Sequence, residues 1–211
     1  MKYEEFRTLV SKFPIIDNNT LKLSGAFSQS NSMQVTRWLK KGYIKKLRKG
    51  LYVLREEDRK VNPSRMFIGC ELYKPSYISL EYALGYYGLI PERVTDITCV
   101  TAKKTNQFDN FFGKFVYQHV KKYCFTGFVE NKDESNLPFF IAKPEKAVID
   151  FIYLNLGKLK AEDPAQLIES YRFQNLGNLD KELLKHFSSL FKTKKLAAIV
   201  NGLVKSVRSR K

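Results

Sequence analysis

The chain has 211 residues, 44% hydrophobic and 27% charged, an ordinary globular composition long enough for one large core or two small ones. It contains no low-complexity tract, and no apolar run approaches the roughly 18 residues that span a bilayer. The formal net charge is +16, divided as +8 over residues 1–60, +1 over residues 61–150 and +7 over residues 151–211, so the excess sits at the two ends. Such asymmetry points to a nucleic-acid or acidic-protein surface at each end.

Lys2 to Phe13 reads as a helix with Phe6, Leu9, Val10 and Phe13 on one side, ended by Pro14. Asp17-Asn18-Asn19-Thr20 offers caps for a short second helix over Leu21 and Leu23. A third helix is expected from about Ser30, with Val35, Trp38 and Leu39 on its apolar face and Gly42 as its stop. Trp38 is in phase with that face and reads as core, not as a base-stacking aromatic. Tyr43–Leu47 and Leu51–Leu54 flank Arg48-Lys49-Gly50, a hairpin signal with Gly in the turn. Two helices, a third helix and a hairpin make a winged helix-turn-helix over residues 1–58, with Ile16, Ile44 and Tyr52 joining the core. The run REEDRKVN from Arg55 to Asn62 suits a linker.

Beyond it, residues 59–211 read as an α+β effector domain, a mixed α/β unit with an antiparallel sheet, helical from about residue 144. Helices are expected from Pro63 through Leu72 and after Ser79, which can cap a helix carrying Glu81 in its first turn. Strands are expected at Thr95–Thr101, Phe112–Val120, Cys124–Asn131 and Leu137–Ala142. Pro144 opens a helix in which Lys146 and Asp150 form an i,i+4 pair, a minor stabiliser at best, and Glu145 compensates the dipole. Helices follow at about Pro164–Tyr171, Asp180–Phe191 with Asp180 as N-cap, and Lys194–Val207.

Charge is the sharper signal. From Asn18 to Arg55 there is no acidic residue and nine bases fall in the window. A solvated helix face ordinarily mixes signs, because opposite charges four residues apart attract and like charges repel. One-signed charge on a helix and its adjoining hairpin suits a polyanion, and duplex DNA carries a phosphate charge per roughly 1.7 Å of axis. The expected contacts are Ser30, Asn31 and Ser32 near phosphates or base edges at the helix start. Gln34 and Arg37 are the candidates for direct readout, since Gln suits adenine and Arg suits guanine. Thr36, Lys40 and Lys41, with Lys45, Lys46, Arg48 and Lys49 on the hairpin, are expected to anchor phosphates. A second acid-free run, from Leu183 to the C-terminus, carries eight bases, among them Lys192, Lys194, Lys195, Arg208 and Arg210. It could hold phosphates, bind an acidic partner, or simply be a solvated face.

No enzyme, metal or cofactor is expected. Cys70, Cys99 and Cys124 are scattered and odd in number, without zinc-ligand spacing, and read as buried free thiols of a reducing cytosol. His119 and His186 have no nucleophile or ligand nearby in sequence, helical phase separates Glu145 from Asp150, and Asp96 and Asp109 carry no metal motif. There is no P-loop, G-x-S-x-G or dinucleotide fingerprint. The start MKYEEFRTLVSKF lacks the apolar region of a signal peptide, so a cytoplasmic protein with no membrane partner is expected.

RKGLYVL, YISLEYALGYYGLIP, ITCVTAKK, FGKFVYQHV and IAKPEKAVIDFIYL occur in that order across Ser30 to Leu154. In this the chain resembles the AbiEi antitoxins, transcriptional regulators of type IV toxin–antitoxin systems from bacterial phage-defence loci. The resemblance implies an N-terminal winged helix that represses its operon by binding double-stranded DNA at inverted repeats in the promoter. It also implies a C-terminal domain that neutralises a cognate nucleotidyltransferase toxin, AbiEii, without needing a stable complex. The alternative is a winged-helix regulator whose C-terminal domain senses a small molecule or a protein partner.

Overall fold

The computed structural model describes residues 1–23, 32–158 and 164–206. Helix α1 (Tyr3–Val10) buries Tyr3, Phe6 and Val10. Leu9 and Phe13, expected on the same side, are 51% and 42% exposed, because Leu9 falls at the outer edge of that stripe and Phe13 lies past the helix end. Strand β1 (Ile16–Asp17) leads into α2 (Asn18–Leu23), where Asp17 Oδ1 accepts from the Thr20 amide at 2.7 Å and its hydroxyl at 2.8 Å. Then come α3 (Ser32–Lys40), β2 (Ile44–Arg48) and β3 (Leu51–Leu54). The three strands form an antiparallel sheet in the order β1-β3-β2. Phe6, Val10, Ile16, Leu21, Trp38 and Leu54 pack into one core beneath it, with Leu39 and Tyr52 half-buried at its edge. The side chain of Leu23 lies outside the described residues.

The hairpin has two buried sides. Ile44 pairs with Leu54 and both enter the N-terminal core, whereas Lys45 pairs with Val53 on the opposite side. Leu47, Leu51 and Val53 enter the larger C-terminal core. The segment expected as a linker is likewise built in. Asp58, in the 3-10 turn Glu56–Asp58, is buried and accepts from Tyr3 Oη at 2.5 Å, Arg55 Nε at 2.6 Å and Arg7 at 3.2 Å. Burial pushes the Asp58 carboxyl up, and the hydrogen bonds from Arg55, Tyr3 and Arg7 outweigh it and hold the group below the ordinary carboxylate value.

Helix α4 (Arg65–Leu72) is capped by Ser64, whose Oγ accepts from the Phe67 amide at 3.1 Å. It is followed by β4 (Ser76–Ile78), α5 (Leu80–Tyr86), β5 (Ile97–Thr101), β6 (Asn106–Asn110) and β7 (Gly113–His119). Strands β8 (Phe128–Lys132) and β9 (Pro138–Ala142) complete a six-stranded sheet of order β6-β7-β5-β4-β9-β8. The sheet is mixed, which corrects the expected antiparallel arrangement: β5 runs parallel to β7, and β4 to β9. The chain leaves the end of β5, runs down β6 at the edge and returns up β7 between the two, so β7 must point the same way as β5. Cys124, expected to begin a strand, closes a 3-10 turn (Lys122–Cys124) instead.

The chain ends in α6 (Pro144–Asn155), α7 (Pro164–Ser170), α8 (Lys181–Leu190) and α9 (Lys194–Ser206). Asp180 caps α8, its Oδ1 accepting from the amides of Glu182 and Leu183 at 2.8 and 3.1 Å. Helix α6 packs on α5 and α8, and α9 on α7 and α8. The Lys146–Asp150 pair is not on the surface, for both side chains are fully buried and directly hydrogen-bonded. Tyr77 Oη and Ser79 Oγ each donate to Asp150 Oδ2 at 2.9 Å, and Lys146 Nζ donates to Tyr77 Oη at 2.8 Å. Ser79 therefore gives its hydroxyl proton to Asp150 and does not cap α5. Glu145 is also buried and accepts from the Asp180 amide at 3.0 Å, joining the start of α6 to the start of α8. No helix among the described residues is long and apolar enough to cross a membrane.

Candidate nucleic-acid interface

Two aromatic contacts set the rotation of α3. Trp38 stacks on Phe6 with ring centroids 4.4 Å apart and meets Tyr3 edge-on at 5.9 Å. With Val35 and Trp38 buried, helical geometry turns Thr36, Arg37 and Lys40 out to solvent, where all three are exposed. The helix ends in a Schellman arrangement. The Gly42 amide donates to the Leu39 carbonyl at 3.1 Å and the Tyr43 amide to the Trp38 carbonyl at 3.0 Å. Gly42 sits at φ +71°, a left-handed conformation that a side chain would strain. This tight stop places exposed Lys40 and Lys41 beside the start of the hairpin.

The residues expected to contact DNA divide by what else holds them. Arg37, Lys40, Lys41, Lys46 and Lys49 are exposed, as is Thr36, and none of the five bases forms an ion pair among the described residues. Gln34, Lys45 and Arg48 are engaged within the chain. Gln34 Nε2 donates to the Met1 carbonyl. Lys45 Nζ lies 3.2 Å from the centroid of the Phe111 ring. Arg48 donates to the Leu72 carbonyl at 2.7 Å and the Lys49 carbonyl at 2.9 Å. Ser30 and Asn31 lie outside the described residues, as does the side chain of Ser32, whose backbone opens α3. Arg55, the last base of the acid-free window, is committed to Asp58.

Beside the hairpin turn a cleft of about 400 Å³ is lined by Asn18, Asn19, Thr20, Arg48, Gly50 and Lys74, with Glu71 at its wall. A Cβ on Gly50 would lie 2.9 Å from the Asn18 side chain, so the turn is seated against the start of α2. Lys74 is a neighbour that sequence could not supply, since it is brought there by α4 from outside the acid-free window.

A second concavity, about 460 Å³, lies over the sheet between α5 and α6 and is lined by Leu80, Arg93, Asp96, Thr98, Gln118 and Lys158. Leu80, at its rim, has φ +58°, an unfavourable backbone for a branched residue. Among the described residues no cluster of three or more His, Cys, Asp or Glu could hold a metal ion.

A scan of the chain against protein-family models gives no match, and neither does a search of the curated proteins. The resemblance read from the ordered motifs therefore stands on those residues.

Proposed function

We propose that the chain is a DNA-binding transcription regulator in which residues 1–58 act as a winged helix-turn-helix. The observation that carries this reading is the one-signed surface of α3 and β2. Arg37, Lys40, Lys41, Lys46 and Lys49 all reach solvent from a segment without a carboxylate between Asn18 and Arg55. In this reading α3 lies in the major groove, Arg37 reads a guanine, and Thr36, Lys40 and Lys41 hold the backbone beside it. Lys46 and Lys49 carry the phosphate contacts of the hairpin. Gln34, whose amide donates to the Met1 carbonyl, reads an adenine only by giving up that partner. A gel-shift titration on the DNA upstream of the chain's own reading frame tests the reading.

With the motif resemblance, the same surface supports an AbiEi-like antitoxin that represses its own operon and counteracts a nucleotidyltransferase toxin. Expression of a neighbouring nucleotidyltransferase with and without this chain tests that step, the expected result being growth arrest relieved only when the chain is present. The cleft at Leu80, Arg93 and Lys158 favours a second reading, in which the C-terminal half senses a small molecule. That reading requires a ligand which both raises the melting temperature and shifts DNA affinity.

A further inference from the structure

The carboxyl ends of β5 and β7 lie side by side, since the two strands are parallel and Thr101 is level with His119. The segment leaving each strand is basic: Lys103 and Lys104 after β5, Lys121 and Lys122 after β7, all four exposed. Hydrogen bonds and ring contacts join them into a line. The Val120 amide donates to the Thr101 carbonyl at 2.9 Å, and His119 Nδ1 donates to the Lys103 carbonyl at 2.8 Å. Lys103 Nζ lies over the Tyr73 ring, 5.3 Å from its centroid, and donates to the carbonyl of Lys74. Lys74 in turn lines the cleft at the hairpin turn with Arg48 and Gly50. At the far end, Lys121 and Lys192 approach the Tyr123 ring to 5.9 and 5.4 Å, which brings in the start of the second acid-free run.

Lys74 pairs with Glu71, but among the described residues no carboxylate pairs with Lys103, Lys104, Lys121 or Lys122. A solvated face of this size normally interleaves acids with its lysines. The segments that leave β5 and β7 are a loop and a 3-10 turn, and the hairpin at this end of the sheet, β8–β9, lies beyond β4, so neither basic segment is shaped to enter a groove. The line therefore has the chemistry of a backbone contact and not of base readout.

We propose that this lysine line, from Lys49 at the hairpin turn through Lys74, Lys103 and Lys104 to Lys121 and Lys122, is a phosphate-binding track that carries the bound duplex off the reading head onto the C-terminal half. It rests on the DNA-binding reading above and extends its footprint. The track supplies affinity and salt dependence without sequence preference, because ammonium groups displace counterions from any duplex.

The test is a salt series of binding constants and a hydroxyl-radical footprint on the DNA upstream of the reading frame. It compares the full chain with the triple variant Lys104→Gln, Lys121→Gln, Lys122→Gln. The expected result is a salt slope shallower by about 2–3, near 0.9 for each phosphate no longer neutralised, with protection abolished at one end of the footprint and kept at its centre. The corresponding triple Lys→Arg variant keeps both, which separates charge from folding. An unchanged slope and footprint in the Gln variant overturns the track while leaving the reading head intact. Absence of any footprint with the unsubstituted chain overturns the DNA-binding reading, and the track with it. Loss of poly-glutamate binding in the Gln variant with DNA protection unchanged assigns the line to an acidic protein and also overturns the proposal.

Discussion

Lys45 Nζ sits 3.2 Å from the centroid of the Phe111 ring, a contact between the edge strand of the N-terminal sheet and the turn joining β6 to β7. Around it, Asn110 Nδ2 donates to the Leu47 carbonyl at 3.2 Å, and Leu47 and Val53 sink into the C-terminal core. The hairpin is packed on both sides, and of its neighbouring lysines Lys45 lies on the side docked against Phe111, whereas Lys46, on the side of Ile44, keeps its side chain exposed.

Neighbouring lysines on one strand should then behave differently. Lys46→Gln is expected to weaken binding to duplex DNA several-fold and make its salt slope shallower by about one. Lys45→Gln should alter DNA affinity less than about twofold while lowering stability by about 0.5–1 kcal/mol, because its ammonium no longer sits on the Phe111 ring. Anisotropy titrations and urea melts of the two variants separate these effects; equal losses of DNA affinity would contradict the docked side.

The buried Lys146–Asp150 pair predicts strong coupling. Removing one partner strands a charge in a site that is 0% exposed, so Lys146→Met and Asp150→Leu should each cost about 3–5 kcal/mol in a urea melt. The double substitution should cost far less than their sum, because no unpaired charge remains. Additive losses would show that the two groups do not depend on each other.

Asp58 gives a pH signature. Its carboxyl is held below the ordinary value of 3.8, so the ionised form stabilises the fold above that pH, and the contribution is lost as the pH falls through the lowered folded-state value. Asp58→Ala should lower stability by about 2–3 kcal/mol near neutrality, and the gap from the unsubstituted chain should shrink as the pH drops below about 4. A gap independent of pH would remove the carboxylate from its role as the tie between Tyr3, Arg7 and Arg55.

The three thiols are buried, and burial pushes that of Cys70 up to about 12. Folded protein is expected to resist a thiol-reactive disulfide at mildly alkaline pH, with Cys70, Cys99 and Cys124 all titrating once denaturant is added. Rapid labelling of the native chain would contradict that burial.

Much of the N-terminal half was legible in the sequence because its elements carry strong local marks. Val35 and Trp38 give helical spacing, and Gly42 and Gly50 stand where left-handed backbone is needed. Strands β4 and β6 carry no such mark. The first is three buried residues, and the second, Asn106–Asn110, is a polar edge strand whose identity comes from pairing with β7. Parallel pairing between β5 and β7 is a long-range choice that periodicity does not encode. Spacing also put Lys146 and Asp150 on one helix face without revealing that α5, α8 and β4 would enclose it. In the candidate interface, sequence found the bases but could not tell Lys46, left open, from Lys45 and Arg48, which partners 24 or more residues away hold in place.

DNA binding by the N-terminal head is tested most directly by titrating the full chain against the DNA upstream of its reading frame from low to moderate salt, alongside Arg37→Ala and Lys46→Ala. Tight binding is predicted at low salt, falling steeply as salt rises. Arg37→Ala should lose about 1–3 kcal/mol and relax specificity at one base pair, and Lys46→Ala should weaken all sequences alike with a shallower slope. No binding at low ionic strength, or binding untouched by both substitutions, would contradict it.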